Sequence, residues 1–181
     1  ELIPYDDLFQ AKSISDLVVN PMNNNEIYAS SYFSGLLKIN DDGISLFNTT
    51  NTGPNGLESL VLSPPNPSYI DIRINSPAFD KDGNLWVTNA FVAKSLKVLR
   101  TNGQWQSYDM SAVLPTINTG RYAPMAIDKN RTKWVPTIND GLLVFNDTYN
   151  NKTAVINVEN GNLPDIDVRC VAIDNRNELW I

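Results

Sequence analysis

The chain is predicted to be all-β, a β-propeller fragment of about three and a half four-stranded antiparallel blades. Three observations predict it. The strand–turn–strand stretch from Phe79 to Asn89 returns, with small changes, from Ile127 to Val135 and again from Ile173 to Ile181. In each copy an Asp opens the turn (Asp80, Asp128, Asp174) and a Trp follows six residues later (Trp86, Trp134, Trp180). Asp80 and Asp128 are 48 residues apart, Asp128 and Asp174 46 apart, and a hairpin repeat of that length carrying a Trp is the mark of blades stacked around an axis.

Taken in order, residues 1–12 show no clear period and are expected to finish a preceding blade or form a linker. A partial propeller then occupies 13–181. Its first blade, about 13–48, begins with the strand Ile14–Val19. The turn-forming residues Asn20–Asn25 lead into Glu26–Ser31, where Tyr28 holds the place of the later Trp. Ser34-Gly35 turns the chain into Leu36–Ile39, and Asp41-Asp42-Gly43 makes the hairpin into Ile44–Phe47. Residues 49–71, with Pro54, Gly56, Pro64, Pro65 and Pro67 among them, form an insertion. Within it Leu57–Leu62 reads as a short strand or a helical turn. The second blade, about 72–109, and the third, about 121–158, repeat the plan, and 166–181 supplies a half-blade. Gly35 and Gly141 stand at the same corner, each seven residues after the repeat aromatic. Propellers have typically about four to eight blades, so the stop after Leu179-Trp180-Ile181 is expected to be a truncation of a longer ring.

Composition narrows the function. The chain is 181 residues long, 42% hydrophobic and 19% charged, as ordinary globular domains are. No apolar run has the length of a membrane span. A net charge of −6 without any basic run leaves no stripe to neutralise phosphates, so no nucleic-acid partner is expected. Histidine is absent, which removes imidazole bases, Ser-His-Asp triads and His-ligated zinc. No cofactor or metal is expected. The lone Cys170, in an apolar stretch, is expected to be simple buried packing.

The pattern Asp80…Gly83…Leu85-Trp86, followed by strands such as Gly141-Leu142-Leu143-Val144-Phe145, resembles the two-component-regulator type of propeller blade of Bacteroidetes. Narrower pieces, Tyr28 to Leu37, Ala78 to Asn89, Trp105…Tyr108 and Asp140 to Asn146, resemble the PorZ-like propeller proteins of type IX secretion. The narrower resemblance implies an exported, non-enzymatic scaffold, periplasmic or at the cell surface, in a complex that attaches secreted cargo to anionic lipopolysaccharide. Its partners would be other proteins of that complex and an anionic glycan. The broader one leaves a periplasmic glycan-sensing propeller of a hybrid regulator as the alternative, and a propeller lyase or hydrolase using Asp16, Glu58 and Asp71 as a further one. Asn130-Arg131-Thr132 and Arg176-Asn177 depart from the Asp-x-x-Gly turn.

Three groups of residues are candidate sites. Asp80, Asp82 and Asn84 alternate around Gly83 like the start of a calcium loop, but the twelfth position is Phe91 rather than a bidentate Glu. The competing reading has Asp80 capping the turn and Gly83 at positive φ. The repeated Trp residues read as packing between blades, with a sugar-stacking platform as the alternative; Trp105, outside the repeat, is expected to be more exposed. Arg73 and Arg121 each lie seven residues before their turn Asp, at the start of an innermost strand, and Arg169 lies near the corresponding place in the last copy. Planar guanidinium forks around one rim suit carboxylate or phosphate. Salt bridges to Asp71, Asp16 or Asp167 are the plainer reading.

Overall fold

The computed structural model describes residues 3–181. Glu1 and Leu2, part of the expected leading segment, lie outside the described residues. Three four-stranded antiparallel sheets and one hairpin follow one another along the chain, each sheet a meander in sequence order. The first holds β1 (Ile14–Asn20), β2 (Asn23–Ser31), β3 (Gly35–Asn40) and β4 (Gly43–Phe47). The second holds β5 (Ile74–Phe79), β6 (Leu85–Asn89), β7 (Leu96–Leu99) and β8 (Trp105–Tyr108). The third holds β9 (Ala126–Ile127), β10 (Lys133–Pro136), β11 (Leu142–Asn146) and β12 (Lys152–Ile156), and the hairpin pairs β13 (Ala172–Ile173) with β14 (Leu179–Trp180). This is the all-β propeller architecture that the repeat predicts. The segment Leu57–Leu62 forms neither strand nor helix. A single helical turn, Val158–Gly161, stands where the last strand of the third sheet was expected to end, capped by Asn157, whose side chain accepts from Glu159 and Asn160.

The turn repeat has a physical cause. The Asp80 carboxylate accepts the backbone N–H of Asp82 and of Asn84, both at 3.0 Å, and the Trp86 indole N–H at 2.9 Å. Asp128 does the same for Asn130 (2.8 Å), Thr132 (2.9 Å) and the Trp134 indole (3.2 Å). Asp174 accepts from the amides of Arg176 (2.9 Å) and Glu178 (2.8 Å). The Glu178 amide is the foremost of the bonds that hold its carboxyl below the usual range. One carboxylate thus closes the turn and aims the Trp. The fourth turn residue must be left-handed, and Gly83 (φ 83°), Arg131 (φ 68°) and Asn177 (φ 67°) all are. The two non-glycine turns therefore keep the geometry and carry its backbone strain.

The sheets approach one another most closely at their leading strands, β1 and β2 against β5, β5 against β9 and β9 against β13. Trp86 is fully buried between the second and third sheets, stacked on Tyr108 (5.7 Å between centroids) and tilted against Phe145 (6.0 Å). Trp134 is half-buried against Leu142, Leu163 and Val168, and Trp180 is exposed on the outer face of the hairpin. Trp105 is half-buried rather than exposed, because it meets Phe47 of the neighbouring sheet edge-on at 5.8 Å. Cys170 corrects the expectation of burial. It is exposed, as is Arg169 before it, since both lie outside any strand and, among the described residues, no sheet covers them.

Polar staples fix the spacing between sheets. The Lys81 ammonium donates to the carbonyl of Lys129 (3.0 Å), and that of Lys129 to the carbonyl of Asn175 (2.6 Å). Ser15 Oγ reaches the carbonyl of Ile74 (3.1 Å), and Asn75 Nδ2 that of Tyr122 (2.6 Å).

Candidate functional site

The insertion folds back on one end of the second sheet and builds a rim there. Asn89, fully buried at the end of β6, accepts from the Glu58 amide (2.8 Å) and donates to the Glu58 carbonyl (3.1 Å). The Asp71 amide donates to Ser59 Oγ (2.8 Å), and the Leu60 amide to the carbonyl of Asp71 (3.0 Å). Below them the Lys97 ammonium, fully buried, pairs with the half-exposed Glu58 carboxylate and donates to Ser107 Oγ at 3.2 Å. Burial lowers the affinity of Lys97 for its proton, and Glu58 opposes that shift.

Arg73 sits on this rim just before β5. Its Nε donates to Asp71 Oδ1 (3.1 Å) and its Nη2 to Oδ2 (2.9 Å), a two-point fork that turns the Nη1 edge away from the acid. Asp71 is 2% exposed and also accepts the Tyr69 hydroxyl at 3.0 Å. The guanidinium carbon lies 4.3 Å from the Phe91 ring centre and 5.3 Å from those of Tyr32 and Phe33. Phe91 reaches it from a left-handed backbone (φ 65°), an unusual conformation for an aromatic residue. The bond to Asp71 raises the pKa of Arg73. Beside it a cleft of about 340 Å³ is lined by Glu58, Ser59, Leu60, Val61, Phe91 and Asn118.

Arg121 occupies the same register one sheet on. The carbonyl of Arg73 accepts from the Ala90 amide (2.8 Å) and that of Arg121 from the Ile138 amide (3.1 Å). Arg121 is exposed and has no ion pair among the described residues. Arg169, with 70% of its side chain exposed, pairs with Asp167. Two of the three arginines therefore carry their own acid, and a ligand reaching Arg73 or Arg169 competes with it. Of the carboxylates considered for catalysis, Asp71 is held by Arg73 and Tyr69, Glu58 by Lys97, and Asp16 accepts from the Leu17 amide. Asp80 is spent on its turn, and among the described residues no group of three acid, Cys or His side chains could hold a metal ion.

The aromatic walls of Arg73 were missed in the sequence. A signal was there: Phe33 lies five residues after Tyr28 and Phe91 five after Trp86.

Among solved structures, the chain is similar to PorZ, a surface component of the type IX secretion system of Porphyromonas gingivalis. The identity is 21% and the TM-score 0.74, over 97% of this chain and 25% of that one. It is also similar to an extracellular domain assigned to a one-component system of B. thetaiotaomicron, with 19% identity and a TM-score of 0.63, over 92% of this chain and 20% of that one. The chain thus spans a quarter or less of the length of these structures, and the likeness shows a shared propeller fold. No family model and no curated protein matches.

Proposed function

We propose that the chain is part of an exported, non-enzymatic propeller that binds partners at its rim, in a surface complex of the type IX secretion kind. The observation that carries this reading is the Arg73 rim: a guanidinium gripped by a buried acid and walled by three aromatic rings, repeated in register by the unpaired Arg121. Such a rim recognises anionic groups without making bonds, and Arg121 is its most available cation. The ligand would be an anionic glycan such as lipopolysaccharide, held by Arg73, Arg121 and Arg169 beside other proteins of the complex. The likeness to PorZ over nearly the whole chain supports that setting.

The test is binding of anionic lipopolysaccharide, with a neutral glycan as control, to the full-length protein and to its Arg73→Ala, Arg121→Ala and Arg169→Ala variants. A charge-assisted contact is worth about 1.5–3 kcal/mol, so Arg121→Ala should weaken binding roughly tenfold to a hundredfold. Binding that is absent, or unchanged in all three variants, sinks the arginine rim. The second reading, an extracellular sensing propeller, is favoured by the likeness to the B. thetaiotaomicron domain. A membrane span and a signalling domain after the propeller would decide for it.

A further inference from the structure

Comparison of the two junctions between complete sheets points to a second site. At the junction of the second and third sheets every position is filled. Trp86 lies against Phe145, the Lys133 ammonium is 3.7 Å from the Trp86 ring centre and paired with Asp147, and Arg131 reaches Asp82 at 2.5 Å. The strand registers give the matching residues at the first junction. Tyr28 faces Lys38 as Trp86 faces Val98, and Leu85 faces Leu99 as Lys133 faces Phe145. Tyr28 therefore stands for Trp86, Leu99 for Phe145, Leu85 for Lys133, Thr101 for Asp147 and Gly83 for Arg131. Tyr28, Leu99 and Gly83 are smaller than the residues they stand for, and Leu85 and Thr101, of similar size, lack the charges of the Lys133–Asp147 pair. What results is a cleft of about 440 Å³, within the range of ligand sites. Both of its flanking sheets are complete, so it is a property of the junction and not of an uncovered edge.

The floor of the cleft is apolar and aromatic: Tyr28 and Phe79 meet edge-on at 5.8 Å, with Phe47 and Leu99 beside them. Its lip carries both signs, Glu26 and Asp82 with Lys38 and Arg100, and the neighbouring Asp42 stands beside it. The ions of the lip itself are paired: Lys38 with Glu26 at 2.6 Å, Asp82 with Arg131, and Arg100 with Asp147 (3.1 Å) and the Tyr108 hydroxyl (2.8 Å). Asp41 and Asp42 form no ion pair among the described residues. The packed junction shows what fits such a slot, an indole with a cation set against its face.

We propose that this cleft receives an aromatic side chain of a partner protein, presented next to basic residues. The ring would occupy the space that the bulkier side chains fill at the next junction, and the basic neighbours would meet Asp41 and Asp42. This site is distinct from the rim and does not depend on it.

The probe is a peptide, acetyl-Lys-Trp-Lys-amide carrying 5-fluorotryptophan, titrated into the full-length protein and followed by fluorine NMR, with acetyl-Lys-Ala-Lys-amide as competitor. Saturable binding is expected, with the alanine peptide competing at least tenfold less well. Tyr28→Trp with Leu99→Phe copies the filled junction and should weaken binding more than tenfold. Gly83→Arg blocks the lip from an exposed turn, where a Cβ meets only Thr101 and Met22 at 3.4 and 3.5 Å, and should do the same if the core variant fails to fold. Arg121→Ala should bind the peptide unchanged, which separates failure here from failure of the rim. No saturable binding, equal competition by the alanine peptide, or full binding by a folded blocked variant overturns the proposal.

Discussion

Replacing Asp147 with Asn should cost far more than replacing its buried partner Lys133 with Met. Lys133 is fully buried, and its ammonium has the Asp147 carboxylate on one side and the Trp86 ring on the other. Asp147 also accepts from Arg100 at 3.1 Å, so one carboxylate balances two cations. Burial disfavours the charge on both partners. It lowers the pKa of Lys133, while for Asp147 the bonds from Lys133 and Arg100 outweigh it and keep the carboxyl below its usual range. Breaking a buried pair by removing one member typically costs about 3–5 kcal/mol. The Trp86 ring retains part of the cation's stabilisation, about 1–2 kcal/mol for a desolvated cation–π contact. Asp147→Asn should therefore cost about 3 kcal/mol. Lys133→Met leaves Asp147 with Arg100 and a slim apolar chain under the indole, and should cost about 1 kcal/mol or less. The double variant should recover most of the loss. Native-state hydrogen exchange of the β10 and β11 amides in the full-length protein measures this locally, and 3 kcal/mol appears as roughly a hundredfold or greater loss of protection. Equal costs for the two single variants, or a double-mutant coupling below about 0.5 kcal/mol, would refute the reasoning.

Two further outcomes follow from the same geometry. Gly141→Ala and Gly35→Ala put a Cβ 2.3 Å from the Ile156 carbonyl oxygen and 2.2 Å from that of Phe47, on backbones at φ 88° and 114°. Each should lose about 3 kcal/mol or more, since neither strain nor clash relaxes without moving β12 or β4, and thermal unfolding compared with Gly43→Ala, whose Cβ has open space, checks it. Asp147 also sets an acid limit. Its depressed folded pKa means that its stabilisation is complete above the unfolded value of about 3.9 and is lost as pH falls through the lower folded value. Exchange protection of β11 should therefore decline only below about pH 4, and in Asp147→Asn that part of the decline should vanish.

The turn repeat was legible because its physics is local. One carboxylate, two amides and an indole all lie within seven residues; Asp80 and Asp128 make all three bonds, and Asp174 makes the two to the amides. Arg73 with Asp71 and Arg169 with Asp167 were legible for the same reason, each pair being two residues apart. What the sequence hid depends on partners far along the chain. A lysine is seldom fully buried, yet Lys97 and Lys133 both are, because Glu58 and Asp147 reach them from 39 and 14 residues away. Cys170 misled in the opposite sense, since an apolar stretch implies burial only when a neighbouring sheet covers it.

The first junction shows why a cleft can persist in a closely packed arc. Leu57 of the insertion, 2% exposed, is wedged among Tyr28, Leu36, Ile72, Ile74, Leu85 and Val87, so it clamps the first two sheets together toward the rim. Ser15 ties β1 to the carbonyl of Ile74 on the same side. The opposite, turn-bearing side has no such wedge, and Tyr28 lacks the partner that aims Trp86, because the residue six before it is Met22 rather than an Asp. Closing the cleft would require the sheets to pivot about Leu57 and break those contacts, and a small void open to water carries less penalty than that. The insertion that builds the arginine rim therefore also holds the cleft open, and shortening it should disturb both surfaces while leaving the second junction, with its own Trp86 and Lys133, in place.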